Sequence, residues 1–378
     1  MKRARSRMHV LPSGRLDGPV FRTGVSLHSH TMHSKEQLKD LPQYLERMPI
    51  VAQFLEWERE RHQASAGEGL DFSRAYWRGP VCARRALDLE RRQIEQLDLG
   101  PIVSLTDHDN IDASLFLKQE RPEEDVPISL EWTVPYEKTC FHIGVHNLPA
   151  GESVCLRNEM AGYTSNPRRD VLRELLERLD RDPHVLVVFN HPLWDIGGVG
   201  FDTNAALAKK FLEEFLPEIH ALEINGLRSW QENMGTISLA ESSAHPVVSG
   251  GDRHGFEPNA TLNLTRATTF AEFIWEIRED RSSDVAILPQ YREPLPLRHL
   301  ASAWDAVRED PHFAVGERWS ERVFIRCRDG IERPLSEVWA KSDHQWIDPC
   351  LKVMGVLASP QFRGAVRWAF LATGSSMP

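Results

Sequence analysis

Two histidines one residue apart, His28 and His30, close the segment Val25-Ser26-Leu27-His28-Ser29-His30. On a strand, side chains two residues apart share a face, so both imidazoles can reach one metal ion. With 16 histidines among 378 residues such a pair lies within reach of chance, and its meaning depends on its partners. These arrive in a recurring form, an apolar run that carries or ends in a polar, metal-capable residue. Pro101 to Leu105 leads to Thr106-Asp107-His108-Asp109, and Val126 to Leu130 leads to Glu131. Phe141 to Val145 carries His142, and Val185 to Phe189 leads to Asn190-His191-Pro192. Ile219 to Ile224 leads to Asn225-Gly226, and Pro246 to Ser249 leads to Gly250-Gly251-Asp252-Arg253-His254. Nitrogen and carboxylate donors without cysteine suit zinc, manganese or iron. A carboxylate has two oxygens, so Glu131 or Asp252 can bridge two cations, and the pattern predicts a multinuclear site.

The elements that must position these residues follow from the same pattern. Helical spacing marks Arg84 to Leu97, Asp170 to Leu179, Asn204 to Leu216, Trp230 to Ser242 and Thr269 to Arg278, each beside an apolar run. Such alternation predicts a parallel sheet. Donors at successive strand ends converge only where the strands close or nearly close, which predicts a TIM-like barrel with its site at the C-terminal rim. Residues 1–20 read as a tail. The barrel domain is expected over 21–299, with a helical insertion at about 37–100 because the first connection is too long for a simple crossover. Within that insertion Lys35 to Arg47 and Ile50 to His62 also have helical spacing. Residues 300–378 carry no further donor-bearing strand and read as an extension packed on the barrel. Leu300 to Val307, Leu335 to Trp339 and Phe362 to Leu371 are its helical segments, and Ser320 to Cys327 a short strand.

His-x-His-x-x-x-Ser at 28–34, Thr-Asp-His-Asp at 106–109, Glu131 eleven residues before His142, Asn-His-Pro at 190–192 and Gly-x-Asp-x-His at 250–254 occur in this order. In this the chain resembles the PHP (polymerase and histidinol phosphatase) superfamily from about Phe21 to about Pro289. The resemblance implies a distorted (βα)7 barrel and two or three divalent ions. It implies that His28, His30, Glu131 and Asp252 hold the first ion, and that Glu131, His142 and His191 hold the second. A third would use His108, His254 and a residue just after Ser34. Here the chain departs from the family: Lys35 stands where some members have an acid, and Glu36 where others have a histidine. Glu36 can ligate; a protonated Lys35 cannot. Ser26 stands where an aspartate is common. Asp107 and Asp109 are expected to support from outside, Asp109 also as a helix cap.

Such ions suit hydrolysis of a phosphomonoester or phosphodiester by a hydroxide bridging them. The resemblance points the same way, since free-standing members are mostly phosphatases and phosphodiesterases. Asp252 or His254 would orient the nucleophile or carry its proton. Arg228, on the loop after Asn225-Gly226, is the first candidate for the anionic group. Arg74 and Arg78, in Asp71-Phe72-Ser73-Arg74-Ala75-Tyr76-Trp77-Arg78, read either as a substrate wall or as the edge of an aromatic anchor. Trp132 and Trp194 read as pocket walls or core. The alternatives are C–N or ester hydrolysis on the same ions, as in amidohydrolase barrels, and a non-catalytic metal-stabilised module.

Composition narrows the partners. Hydrophobic residues make up 41 % and charged residues 26 %, which describes a globular chain. A net charge of −10 argues against broad nucleic-acid binding, and the metal pattern with the resemblance implies a small phosphorylated metabolite or nucleotide as the expected substrate. Five cysteines without Cys-x-x-Cys read as reduced thiols, and the absence of a signal-like or membrane-length apolar run leads to the expectation of a cytoplasmic protein.

Overall fold

The computed structural model describes residues 4–12, 20–38, 72–339 and 347–359, with 361, 362, 364 and 367. The helices expected at Ile50 to His62 and over most of Lys35 to Arg47 lie outside the described residues, as does most of Phe362 to Leu371.

In chain order the strands are β1 (Arg5–Val10), β2 (Thr23–Ser26), β3 (Glu36–Gln37), β4 (Ala75–Trp77), β5 (Gly100–Val103), β6 (Leu130–Tyr136) and β7 (Thr139–His146). There follow β8 (Leu186–Asn190), β9 (Ala221–Asn225), β10 (Val247–Gly250), β11 (Thr261–Thr265), β12 (Ser282–Ile287), β13 (Val323–Arg326) and β14 (Glu332–Pro334). The helices are α1 (Ala83–Glu95), α2 (Asp112–Glu120), α3 (Ser153–Ser165), α4 (Arg169–Arg181), α5 (Phe201–Glu214), α6 (Trp230–Ser242) and α7 (Phe270–Arg278). Beyond them lie α8 (Leu295–Val307), α9 (Trp319–Arg322), α10 (Leu335–Val338) and α11 (Ile347–Ala358).

Local sequence explains the helices. In α1, Ala83, Ala86, Leu87, Glu90 and Ile94 form one buried face at helical spacing. In α4, Leu172, Leu175, Leu176 and Leu179 do the same. Ser229 with Glu232 and Thr269 with Glu272 make capping boxes that start α6 and α7.

The strands form two five-stranded sheets, β1-β12-β11-β2-β5 and β10-β9-β8-β7-β6, and a four-stranded sheet, β14-β13-β4-β3. The fold is mixed α/β, and the large sheets do not close into the expected barrel. Nor are they wholly parallel: β6, β7 and β8 run antiparallel, and β11 is antiparallel to both β2 and β12. The sheets meet at two seams where side chains and single bridges replace a ladder. At one, His108 and Glu131 form an isolated bridge, and Ser104 Oγ bonds Ser129 Oγ at 2.8 Å. At the other, Asn263 donates to the carbonyls of Val25 (3.1 Å) and Ser249 (2.8 Å) and accepts from the Ser249 amide at 2.8 Å. One amide side chain thus satisfies backbone groups that a neighbouring strand would otherwise take.

Two further expectations change. Residues 5–10 of the expected tail form β1, paired in parallel with β12. Glu36 and Gln37, expected to begin a helix, pair instead with Trp77 and Tyr76. The third sheet joins the expected insertion to the expected extension, because β4 pairs with β13. Helix α8 runs across residue 299, where the extension was expected to begin.

Between the large sheets the interior is divided. Val25, Leu27, Leu186, Val188, Ala221 and Val248 pack against Phe270, Phe273, Ile274 and Ile277 of α7. That apolar plug fills one end and leaves the polar strand ends to face each other at the other.

Candidate metal centre

Past β2 the chain stays extended, held by a parallel bridge between Ser29 and Arg253. The His30 amide donates to the Arg253 carbonyl (2.8 Å) and the Asp252 amide to the His28 carbonyl (2.9 Å). Alternation turns His28, His30, Asp252 and His254 inward, while Arg253 points away into a buried pair with Glu90 of α1 (3.0 Å). Asp252 and His191 both sit at positive φ, 55° and 27°. Such backbone is costly for these residues and marks places where surrounding structure fixes a side chain's aim.

Glu131, on β6 and buried, stands at the centre. Its Oε2 lies 3.2 Å from His28 Nε2, 3.5 Å from His30 Nε2 and 3.2 Å from His108 Nδ1. Its Oε1 lies 3.3 Å from His142 Nδ1 and 3.1 Å from His191 Nε2. Asp252 Oδ1 is 3.6 Å from His28 Nε2 and 3.5 Å from His30 Nε2, which are themselves 3.0 Å apart. Donors about 2.0–2.1 Å from one tetrahedral ion stand about 3.3–3.4 Å from each other. The spacing is that of ligands converging on a cation.

A third grouping lies to one side. Glu36 approaches His108 Nε2 at 3.1 Å and His254 Nε2 at 3.4 Å. His108 therefore stands between groupings, Nδ1 toward Glu131 and Nε2 toward Glu36. Lys35 turns the other way, pairing with Glu332 at 2.9 Å over the Tyr76 ring.

The charges fit the same reading. Burial works against ionised Glu131, Asp252 and Glu36, yet the surrounding histidines hold all three well below the usual carboxylate range. Burial pushes His30 and His142 down to about 4, keeping them neutral and able to ligate. It works in the same direction at His254, but Glu36 outweighs it and raises that ring to about 9. Meanwhile Nδ1 of His108, His142 and His191 is buried with no hydrogen-bond partner. Buried nitrogens left this way are costly, and a cation beside Glu131 relieves those of His108 and His142, whereas His191 turns Nε2 toward the centre. The residues present fit divalent ions.

The outer supports were only partly foreseen. Asp107 accepts from Thr31 Oγ1 at 2.8 Å and fixes the turn after His30. Asp109 caps no helix; it accepts the Thr133 amide at 2.8 Å and so steadies β6. Missed in the sequence were Glu223, which takes His28 Nδ1 at 2.8 Å, and Asn225, which donates to Glu223 (2.8 Å) and Asp252 (3.3 Å). Asn190, also missed, donates to Glu131 Oε1 at 2.9 Å. The signal existed: on β9, Glu223 and Asn225 are two apart in an otherwise apolar strand, hence on one face. By holding Nδ1, Glu223 leaves His28 Nε2 free toward the centre.

The donors open into a cavity of about 440 Å³. Its wall includes Trp77, Trp194, Leu227 and Arg228, and one face of α8 with His299, Ser302, Ala303 and Ala306. Arg228 stacks on Trp194, its guanidinium 3.6 Å from the ring centre, and reaches Asp252 Oδ2 at 3.4 Å. Arg74 and Arg78, weighed as substrate contacts, do not line this cavity. Arg78 donates to the Met32 carbonyl at 2.7 Å and lies over Phe324, and Arg74 ends the 3-10 turn Phe72–Arg74. Trp132 is core, its indole donating to Met160 and Thr164. A roomier surface groove of about 520 Å³ between α3 and α4 has no histidine in its lining.

No family model and no curated relative matches the chain. Among solved structures it is similar to PsfC from Pseudomonas syringae PB-5123, at 17% identity over 75% of this chain and 97% of that one, with TM-score 0.43. It is also similar to a proposed metal-dependent phosphoesterase from Bifidobacterium adolescentis ATCC 15703, at 14% identity over 70% and 98%, with TM-score 0.37. An amidohydrolase from Chromobacterium violaceum with bound sulfate and no metal matches at 14% identity over 47% and 83%, with TM-score 0.31. Likenesses of this size say nothing of reaction or substrate. Among the described residues no helix is long and apolar enough to cross a membrane.

Proposed function

We propose that this chain is a metal-dependent phosphoesterase of the PHP type, acting on a small phosphorylated molecule. The observation that carries the reading is Glu131, whose two oxygens face different donor sets. Oε2 meets His28, His30 and His108, and Oε1 meets His142 and His191. His28, His30, Asp252 and Glu131 would hold one zinc, manganese or iron ion, and Glu131, His142 and His191 a second. Glu36, His108 and His254 form the place for a third. Bound ions supply a hydroxide near neutral pH and neutralise phosphoryl oxygens.

The chain's own groups then have definite tasks. Arg228, held by Trp194 and Asp252, offers its guanidinium to the phosphoryl group from the open side. Asp252 accepts the nucleophile's hydrogen bond and orients it. His254 Nδ1 faces the Asp252 carbonyl at 2.8 Å, so that nitrogen carries the proton and Nε2 is left to take a cation or hand a proton to the leaving oxygen. In the balanced reaction a water oxygen bonds phosphorus, the P–O bond to the leaving group breaks, and the leaving oxygen ends protonated.

The test is phosphate release from a panel of phosphomonoesters, and of diesters coupled to a second phosphatase, by protein reloaded with manganese or zinc. EDTA-sensitive release is expected. No release from protein shown to hold its ions rejects the reading, and amine release from an amide panel would replace it with C–N hydrolysis.

A further inference from the structure

Helix α8 is pinned to two of the loops that border the site. Arg298 donates to the carbonyls of Gly226 and Arg228, and His299 Nε2 to the Leu227 carbonyl at 2.8 Å. Asp305 accepts the Phe256 amide at 2.8 Å, two residues past His254. At the helix's far end the fully buried Arg322 donates to the carbonyls of Ala306 (2.9 Å) and Arg308 (2.8 Å), placing positive charge where the helix dipole is negative. A helix packed only for stability has no need of anchors on two functional loops.

Its cavity-facing residues, His299, Ser302, Ala303 and Ala306, follow i, i+3, i+4, i+7 spacing and include no carboxylate or permanent cation. The charged neighbours Arg298 and Asp305 are spent on the loops. Strand β4 brings Trp77 to the same cavity beside His254, with ring centres 6.4 Å apart. The Trp77 indole N–H is buried without a partner. Trp194 already carries Arg228 on its face, so Trp77 is the indole left for an organic group. The cavity lining thus adds to the donors and Arg228 a run of small, uncharged side chains along α8 and one indole, with Glu36 and His254 beside that indole.

Resting on the phosphoesterase reading, we propose that α8 and Trp77 select the leaving group, and that they select a flat, uncharged ring. Along α8 a charged group meets no fixed counter-charge, whereas a ring gains an aromatic contact at Trp77.

The test is calorimetric binding of phenylphosphonate and methylphosphonate, neither hydrolysable, to the manganese-loaded full chain and to Ala303→Leu and Trp77→Leu. Phenylphosphonate is expected to bind wild type about tenfold more tightly, since an aromatic contact of up to about 1.5 kcal/mol corresponds to that factor. Both variants are expected to bring the ratio close to one while methylphosphonate still binds. A wild-type ratio near one, or a ratio unchanged in either variant, overturns the wall. If that happens while phosphate esters are still hydrolysed, the phosphoesterase reading stands alone. Binding of neither phosphonate, with no phosphate released from any ester, overturns both.

Discussion

Glu131 and Glu36 are both anionic donors, yet the molecule holds them in opposite ways. Glu131 sits on a seven-residue strand at the end of a five-stranded sheet, its side chain 1% exposed. Asn190 donates to it, and the β6-β7 ladder fixes its height. Glu36 sits on a two-residue strand, its side chain 20% exposed, in a sheet whose other members come from residues 75–77 and 323–334. Core packing sets the first donor, and pairing between remote segments sets the second. The shared pair of sites should therefore be robust, while the Glu36 corner should be separable from it.

The strongest test of that contrast is Glu131→Gln. Its loss should strip both ions of the pair and lower phosphate release by about 10³-fold or more, since each ion contributes several kcal/mol. Elemental analysis of the purified variant counts the ions. Loss of a single ion would break the bridging assignment.

Gly250→Ala comes next and probes how closely the core is built. A Cβ at Gly250 would lie 2.2 Å from Glu223 Oε2 and 2.7 Å from His28 Cβ. Glu223 must shift, and His28 loses the partner that aims it. Metal affinity should fall about 10- to 100-fold, as for other outer supports, with the fold retained. Competition with a chelating dye measures it, and unchanged affinity would show that Glu223 does not orient His28.

Glu36→Ala is expected to remove one ion per chain and leave the pair. Turnover should fall less than in Gly250→Ala. A variant that loses every ion would show that the corner and the centre are one site.

The same contrast explains what could be read beforehand. Short apolar runs with polar ends announced β8 and β10 with His191 and Asp252, because burial and ligand chemistry both leave marks at neighbouring positions; they announced β9 as a strand but not the role of Glu223. The run Val126 to Leu130 found Glu131 but misplaced the strand, which begins only at Leu130 and whose alternating Glu131 and Thr133 carry the real period. The antiparallel β6-β7 hairpin was lost with it. Of the third sheet only β13 left a local mark, inside the expected strand Ser320 to Cys327; the two-residue β3 has no periodicity, and the pairing of Ala75 with Ile325 joins segments far apart in sequence. For the same reason Glu36 was recognised by chemistry and not by position, and Trp77 stood only within a stretch read as a substrate wall or an aromatic anchor.

Lys35→Ala asks how the corner itself is held, and its effect should be the smallest. Lys35 bonds Glu332 of β14, which also accepts the Tyr76 hydroxyl at 2.6 Å, so this cluster ties both ends of the third sheet together. The lysine side chain is 43% exposed, and pairs of that kind contribute under about 1 kcal/mol, less at high salt. Burial works against charged Glu332, yet Tyr76, Lys35 and Arg326 hold it down to about 2 from an ordinary 4.5. A carboxyl lowered on folding stabilises fully above its unfolded value and loses that contribution as pH falls toward the folded one. Lys35→Ala should thus lower the melting temperature slightly at pH 7, with the difference shrinking below about pH 4 as Glu332 takes up its proton. The metal count should not change, because Glu36 is placed by its pairing with Trp77. A lost ion in Lys35→Ala would mean instead that the surface cluster positions the third donor, and the corner would then depend on pH and salt in a way the Glu131 centre does not.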